Sequence, residues 1–186
     1  DKFGARGRAC LSKRPSQDPK NHREAMAADA EAGNTEWRDA ELKELKNHRR
    51  NQSFEVKPAA TKPRGRNLVK FTWVFKTKRD GTKKARLCVQ GCTQVSGVDY
   101  HQTFCGAMRP TSLRLIASIA AARGYKLRRW DFVAAYLQGQ LEPNEVVYCS
   151  EPPGGLDADD IGEPCVCVVQ KPIYGMAQAG RRWQRS

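Results

Sequence analysis

Apolar residues recur at three- and four-residue intervals from Thr35 onward, through Trp37, Ala40, Leu42 and Leu45, with Glu41 and Lys46 between and after them. That spacing predicts a helix capped by Thr35 that packs on the strands C-terminal to it. A Lys/Pro/Arg/Gly connector over 57–67 leads into Val69 to Lys76, whose aromatic and β-branched residues predict a strand. Asp80-Gly81 marks a hairpin turn, and the return strand runs from Ala85 to Gln90 and closes at Gly91. After Gly97-Val98-Asp99-Tyr100 the chain turns through Arg109-Pro110-Thr111. A helix capped by Thr111 or Ser112 then follows Leu113, Leu115, Ile116, Ile119, Ala120 and Arg123 to a stop at Gly124, and its apolar content predicts burial.

The remaining pattern is shorter in period. Tyr125 to Asp131 predicts a strand, Ala134 to Gly139 a turn into a short helix, and Glu145 to Cys149 a strand broken by Pro152-Pro153-Gly154-Gly155. Cys165 to Gln170 predicts one more strand and Ile173 to Gln184 a helix. The irregular order, without a repeat, predicts an α+β domain with a sheet covered by helices on one side. Residues 1–33 carry no sustained apolar period and predict an extended basic leader ending in a short Ala-rich helix, so the packed domain spans 34–186.

Charge changes this picture. The chain has 33 Lys and Arg against 20 Asp and Glu, a net charge of +13, which favours a polyanionic partner, nucleic acid first. The predicted hairpin concentrates that charge in Lys76, Lys78, Arg79, Lys83, Lys84 and Arg86. No run approaches the eighteen or so apolar residues of a membrane span, and the first thirty residues lack a secretory signal, so an intracellular setting, cytoplasmic or nuclear, is expected. A start at Asp1 suggests a piece of a longer polypeptide. Seven cysteines in a reducing compartment argue against a disulfide framework. Cys88-x3-Cys92 with His101-x3-Cys105 offers zinc ligand types but no C-x2-C pair, so Cys88, Cys149, Cys165 and Cys167 read as small apolar strand residues.

Asp131 is the residue whose chemistry stands out. It lies in the apolar stretch Trp130 to Leu137, where a bare carboxylate is costly unless a cation meets it. One reading is a hard oxygen ligand for magnesium at a strand end; the other is a turn cap or an ion pair with Arg128 or Arg129. Tyr136, five places on, reads as core packing or as a planar wall against a sugar. Lys76, Lys78 and Arg86 read as a solvated face or as a triphosphate clamp.

Trp73-Val74-Phe75-Lys76, Lys84-Ala85-Arg86-Leu87, Gly97-Val98-Asp99-Tyr100, Thr103-Phe104, Arg114, Asp131 to Leu137, Gly139, Leu141, Glu151-Pro152-Pro153-Gly154 and Tyr174-Gly175-Met176-Ala177-Gln178-Ala179 resemble, in order and spacing, the reverse transcriptase of copia-type LTR retrotransposons. The resemblance covers about 19–186, including the entry segment from Asp18 to Met26. It implies the fingers and first part of the palm of a right-hand polymerase that copies an RNA or DNA template from a primer, using deoxynucleoside triphosphates and two Mg2+ or Mn2+ ions. Asp131 would be the first metal-binding carboxylate, beside the backbone carbonyl of Phe132. Tyr136 would be the steric gate against a ribose 2′-hydroxyl. Arg86, with Lys78 or Lys76, would hold the triphosphate, and Gln178 would line the nucleotide and template pocket. The partner in sequence would be the remainder of a retrotransposon polyprotein.

Departures from the family pattern carry equal information. The aromatic-x-Asp-Asp turn that completes the metal site does not occur in these residues, and Asp159-Asp160 lies in a polar loop after Pro-Pro-Gly-Gly, which is the wrong setting for it. Ala177 and Gly180 replace a customary Lys and Pro, and Gln90 and Cys92 replace a basic residue and an aromatic. These changes point to weakened phosphate contact or pocket rigidity and to a decayed copy. A chain that binds nucleic acid without extending a primer is expected, with a noncatalytic nucleic-acid-binding module or a zinc-stabilised adaptor as rivals.

Overall fold

The computed structural model of the chain describes residues 18–156 and 164–186. The first two helices form a pair. Helix α1 spans His22–Ala32, entered where the Asn21 side chain accepts from the Glu24 N–H at 3.0 Å and ended by Gly33 at φ +63°. Helix α2 spans Glu36–Arg50, with Trp37, Glu41, Leu45 and His48 on its buried side. Thr35 holds the capping position as expected, but its hydroxyl donates to Asp39. The first N–H groups of α2 are instead served by buried Asp29 of α1, which accepts from Trp37 N at 3.0 Å and Arg38 N at 2.9 Å. A carboxylate there also complements the positive end of the helix dipole.

Strands β2 (Phe71–Thr77) and β3 (Lys83–Val89) make the predicted antiparallel ribbon, with Trp73 opposite Leu87, Val74 opposite Arg86 and Lys76 opposite Lys84. Alternation then divides the ribbon cleanly. Phe71, Trp73, Phe75, Ala85, Leu87 and Val89 point inward and are buried, against α2 and the rest of the core. Each large apolar side chain so buried is worth about 1.5–3 kcal/mol of transfer free energy. Trp37 meets Phe75 edge-on at 5.4 Å, tying α2 to the ribbon.

A second sheet sets β5 (Cys165–Val169) between β1 (Phe54–Pro58) and β4 (Val147–Ser150), all antiparallel. β1 is not legible in the sequence, where its residues merge into the polar connector. Its Phe54 and Val56 are only half-buried, which is why the pattern is faint. Val69 bridges the two sheets by pairing with Cys149. The fold is therefore mixed α and β with two antiparallel sheets sharing one core, rather than one sheet covered on one side. Cys149 and Cys167 are buried in it as small apolar residues, whereas Cys88 and Cys165 are half-buried. Burial pushes the Cys149 thiol up to about 12.

Three further expectations are corrected. Helix α3 forms at Pro110–Ala122, within a residue or two of its predicted bounds, but of its residues only Ala120 is buried. Leu113, Leu115, Ile116 and Ile119 are exposed because no other described element packs over them. The strand predicted over Tyr125 to Asp131 does not form. Without a neighbouring strand to accept its backbone hydrogen bonds, that segment has no regular structure and is exposed. The predicted final helix shortens to α4, Ala179–Gln184, preceded by turns. Among the described residues no helix is long and apolar enough to cross a membrane.

Candidate functional site

The outward face of the ribbon carries Val74, Lys76, Lys84, Arg86 and Cys88, in register across the two strands. Lys76 and Arg86 therefore share one surface. Lys78 does not join them: it lies past the end of β2, in the turn closed by Lys78 N to Thr82 O at 2.9 Å, and lines a groove against α2.

Beside Arg86 stands Tyr174, which belongs to the family pattern through Tyr174-Gly175 but has no expected role in the site. The Arg86 guanidinium lies 5.5 Å from the centre of the Tyr174 ring, and Tyr174 meets Tyr136 at 4.8 Å. Tyr136 also meets Trp183 at 6.5 Å, and Trp183 meets Phe132 edge-on at 5.9 Å. The guanidinium is attracted by the ring quadrupole, and the aromatic pair adds its own contact energy. Burial raises the Tyr174 phenol above its ordinary pKa, against the opposing pull of Arg86, so the hydroxyl stays protonated at neutral pH. Tyr136 itself sits in a 3-10 turn, Ala135–Gln138, entered through Ala134 at φ +50°, an unfavourable left-handed conformation for a residue with a Cβ.

Tyr174 is held by its backbone. Its carbonyl accepts from Val89 N at 2.8 Å, at the end of β3. This approach needs two glycines: a Cβ on Gly175, at φ +90°, would stand 2.1 Å from the Val89 carbonyl oxygen, and one on Gly91 would stand 2.1 Å from the Gly175 carbonyl oxygen. The Tyr174-Gly175 pair is the sequence signal for this docking, hidden inside a predicted helix.

Gln178 is fully buried. Its amide donates to the Asp99 carbonyl at 3.1 Å and accepts from Gln94 at 3.2 Å, while Gln94 in turn accepts from Ala177 N at 2.8 Å. Buried Asp99 accepts from Asn67 at 2.7 Å and Val95 N at 2.8 Å. Gln178 thus fastens the 94–100 loop to the loop before α4, and its side chain is closed off from solvent. Beside it, Arg182 is buried against Glu145, with bonds of 2.6 and 2.7 Å, and also contacts Glu142. Those two carboxylates raise the pKa of Arg182 and fix its charge; this cluster has no signature in the sequence beyond scattered charges.

Asp131 is exposed, not buried, because the segment around it, with Trp130, Phe132 and Val133, is exposed as well. The desolvation cost expected for it does not arise. It makes no ion pair with Arg128, Arg129 or any other described residue, so the structural reading of that carboxylate as a salt-bridge partner is not realised. Among the described residues no three His, Cys, Asp or Glu side chains gather as a metal site, and Cys92 and Cys105 are exposed. Asp159-Asp160 lies outside the described residues.

Comparison with known proteins places this geometry in context. The family described as reverse transcriptase (RNA-dependent DNA polymerase) matches residues 54–186. The chain is 36% identical over 152 residues to the "Retrovirus-related Pol polyprotein from transposon RE2" of Arabidopsis thaliana, covering 79% of this chain and 10% of that polyprotein. It is 37% identical over 126 residues to the corresponding polyprotein from transposon TNT 1-94 of Nicotiana tabacum, covering 65% of this chain and 9% of that one. A Ty1-BL Gag-Pol polyprotein of Saccharomyces cerevisiae is 26% identical over 123 residues, 63% of this chain and 6% of its own length. The chain thus spans about a tenth of the length of the plant relatives it matches. No solved structure matches it.

Proposed function

Since the chain belongs to the reverse transcriptase (RNA-dependent DNA polymerase) family, we propose that it is the fingers and the first part of the palm of a retrotransposon polymerase, the part that meets template and incoming deoxynucleotide. One observation carries the reading. Arg86 and Tyr136 both contact the ring of Tyr174, which supports a site where Arg86 would meet phosphate and Tyr136 would face the sugar. A triphosphate held by Arg86 and Lys76 would bring its sugar toward Tyr136, where a 2′-hydroxyl collides and a deoxyribose fits. Gln178 serves this site indirectly, by fixing the loop that presents Tyr174.

The donor chemistry of Asp131 suits a divalent metal in part. An exposed carboxylate without an ion-pair partner, next to the Phe132 carbonyl, matches magnesium held by one or two protein oxygens, water and substrate phosphates. When bound, the metal would neutralise charge on the transferring phosphate. Among the described residues no three His, Cys, Asp or Glu side chains gather into a metal site, around Asp131 or elsewhere. That observation favours a second reading for the chain in isolation, a nucleic-acid-binding module without polymerase activity.

Binding and extension separate these readings. The purified chain is expected to bind a labelled oligonucleotide with an affinity that falls steeply as salt rises, and to extend no primer. In the full-length parent polyprotein, Asp131→Asn is expected to abolish primer extension. Extension that survives this substitution would eliminate the metal role, and salt-independent binding would eliminate the phosphate interface.

A further inference from the structure

We propose that the groove between α2 and the β2–β3 hairpin is a phosphate track for one strand of nucleic acid, adjoining the Arg86–Tyr174 face through Lys84, which belongs to both. The groove holds about 490 Å³ and is lined by Lys43, Lys46 and Arg50 from α2 and by Lys78, Lys83 and Lys84 from the hairpin. Only one acid lines it: Glu44, whose carboxylate lies 3.6 Å from His48 Nε2. Lys43, Lys46, Arg50, Lys78 and Lys84 make no ion pair with any described residue. Lys83 is positioned, its ammonium 4.8 Å over the Trp37 ring and 3.3 Å from the Thr77 hydroxyl.

Most basic clusters are solvated surface, and their charges diverge. Here they converge on a concavity, where mutual repulsion is relieved by an anion. The shape of that anion follows from the helix. Residues 43, 46 and 50 recur at spacings of three and four, on one side of α2, and span about 10 Å along its axis at 1.5 Å per residue. A track of that length suits successive phosphates better than one small ion. No aromatic side chain lines the groove, so it offers no platform for bases and would hold the backbone without reading sequence. Val133, two residues after Asp131, lines the groove too, so a strand lying there would run past the segment that carries the metal-binding candidate.

The choice of nucleic acid as the polyanion rests on the family reading above; the track rests on the groove. Fluorescence anisotropy with a labelled single-stranded DNA of about 15 nucleotides, titrated at several salt concentrations, tests both. In the variant carrying Lys43→Glu, Lys46→Glu and Arg50→Glu, all at exposed positions, the slope of log affinity against log salt is expected to drop by about 2, since each lost single-strand phosphate contact removes about 0.7. Inorganic triphosphate, measured in parallel, is expected to bind this variant as it binds the unaltered chain and to lose affinity for Lys76→Glu/Arg86→Glu. A Gln series at 43, 46 and 50 is expected to give the same change of slope should charge reversal disturb folding. An unchanged slope in both series would overturn the track. Loss of triphosphate binding in the α2 variant would overturn the strand in favour of a small polyphosphate. An unaltered chain that fails to bind the oligonucleotide at low salt would overturn the family reading of the partner instead.

Discussion

The guanidinium of Arg86 lies over the ring of Tyr174, and that same ring packs against Tyr136. One side chain therefore joins the outer face of the ribbon to the 3-10 turn, two parts of the site that are far apart in sequence. Tyr174→Leu is expected to lower stability by about 1–2 kcal/mol beyond any lost burial, from the cation–ring and ring–ring contacts. Tyr174→Phe keeps both and should lie within about 0.5 kcal/mol of the unaltered chain. Urea unfolding measures the pair, and a Leu variant as stable as the Phe variant would show the stack to be without energetic weight.

The crossing of two backbones at Gly91 and Gly175 gives a sharper expectation. Gly175→Ala introduces a Cβ 2.1 Å from the Val89 carbonyl oxygen at a positive φ, and Gly91→Ala one 2.1 Å from the Gly175 carbonyl oxygen. Neither neighbour is a flexible side-chain tip, so the loop must move away from β3 and the hydrogen bond from Val89 N to the Tyr174 carbonyl is lost. Each change is expected to cost at least about 2 kcal/mol. The double variant should cost less than the sum, because the first change has already undocked the loop. Additive losses in thermal or urea unfolding would mean that the two glycines act separately.

Arg182 and Glu145 form a pair that is nearly closed to solvent. Arg182→Met strands a buried carboxylate, and a loss of about 3–5 kcal/mol is expected, against a smaller one for Arg182→Met combined with Glu145→Leu. The Arg182 hydrogen bond also holds Glu142 below the ordinary carboxylate pKa. A depressed carboxylate contributes stability above its unfolded value near 4.5, and that contribution fades as pH falls through the folded value. Acid unfolding of the unaltered chain should therefore steepen below about pH 4.5, and Arg182→Met should flatten that part of the curve.

Cys149 supplies the opposite sign. Its thiol ordinarily ionises near 9 and is pushed up to about 12 by burial, so the folded chain keeps a proton there that the unfolded chain releases. Stability from this group is whole below pH 9 and declines between there and about 12. Alkylation at pH 8 followed by peptide mass spectrometry should label exposed Cys92 and Cys105 rapidly and Cys149 only in denaturant. Equal labelling of all three in the native chain would contradict the burial of β4.

How far the sequence alone reaches depends on whether each element carries its own partner. The ribbon is legible because Phe71 to Thr77 and Lys83 to Val89 pair with each other across a turn that Asp80-Gly81 announces. β1 is hidden because its pairing is with Cys165 to Val169, more than a hundred residues away, and Glu55 and Lys57 mask its apolar members. The site divides the same way. Arg86, Lys76 and Tyr136 stand out by their chemistry and by the family pattern, whereas Tyr174 and Gln94 act through contacts that only the folded chain creates. Asp131 stands out for the burial its neighbours imply, and that burial is absent.

Helix α3 shows the same mismatch between apolar content and burial, and it leads to a prediction about solution behaviour. Leu113, Leu115, Ile116 and Ile119 recur at helical spacing and announce a core face, yet they stand 54%, 62%, 49% and 44% exposed. Trp130 and Phe132, nearby in sequence, are also exposed. Apolar surface of this extent on one element drives association when the chain is isolated. Binding of an apolar fluorescent dye and a concentration-dependent sedimentation coefficient are expected. Leu115→Glu with Ile116→Lys should suppress both while changing unfolding free energy by no more than about 0.5 kcal/mol per site, as for other exposed positions. A loss of several kcal/mol in that variant would place α3 in a packed core and reverse the assignment of its face.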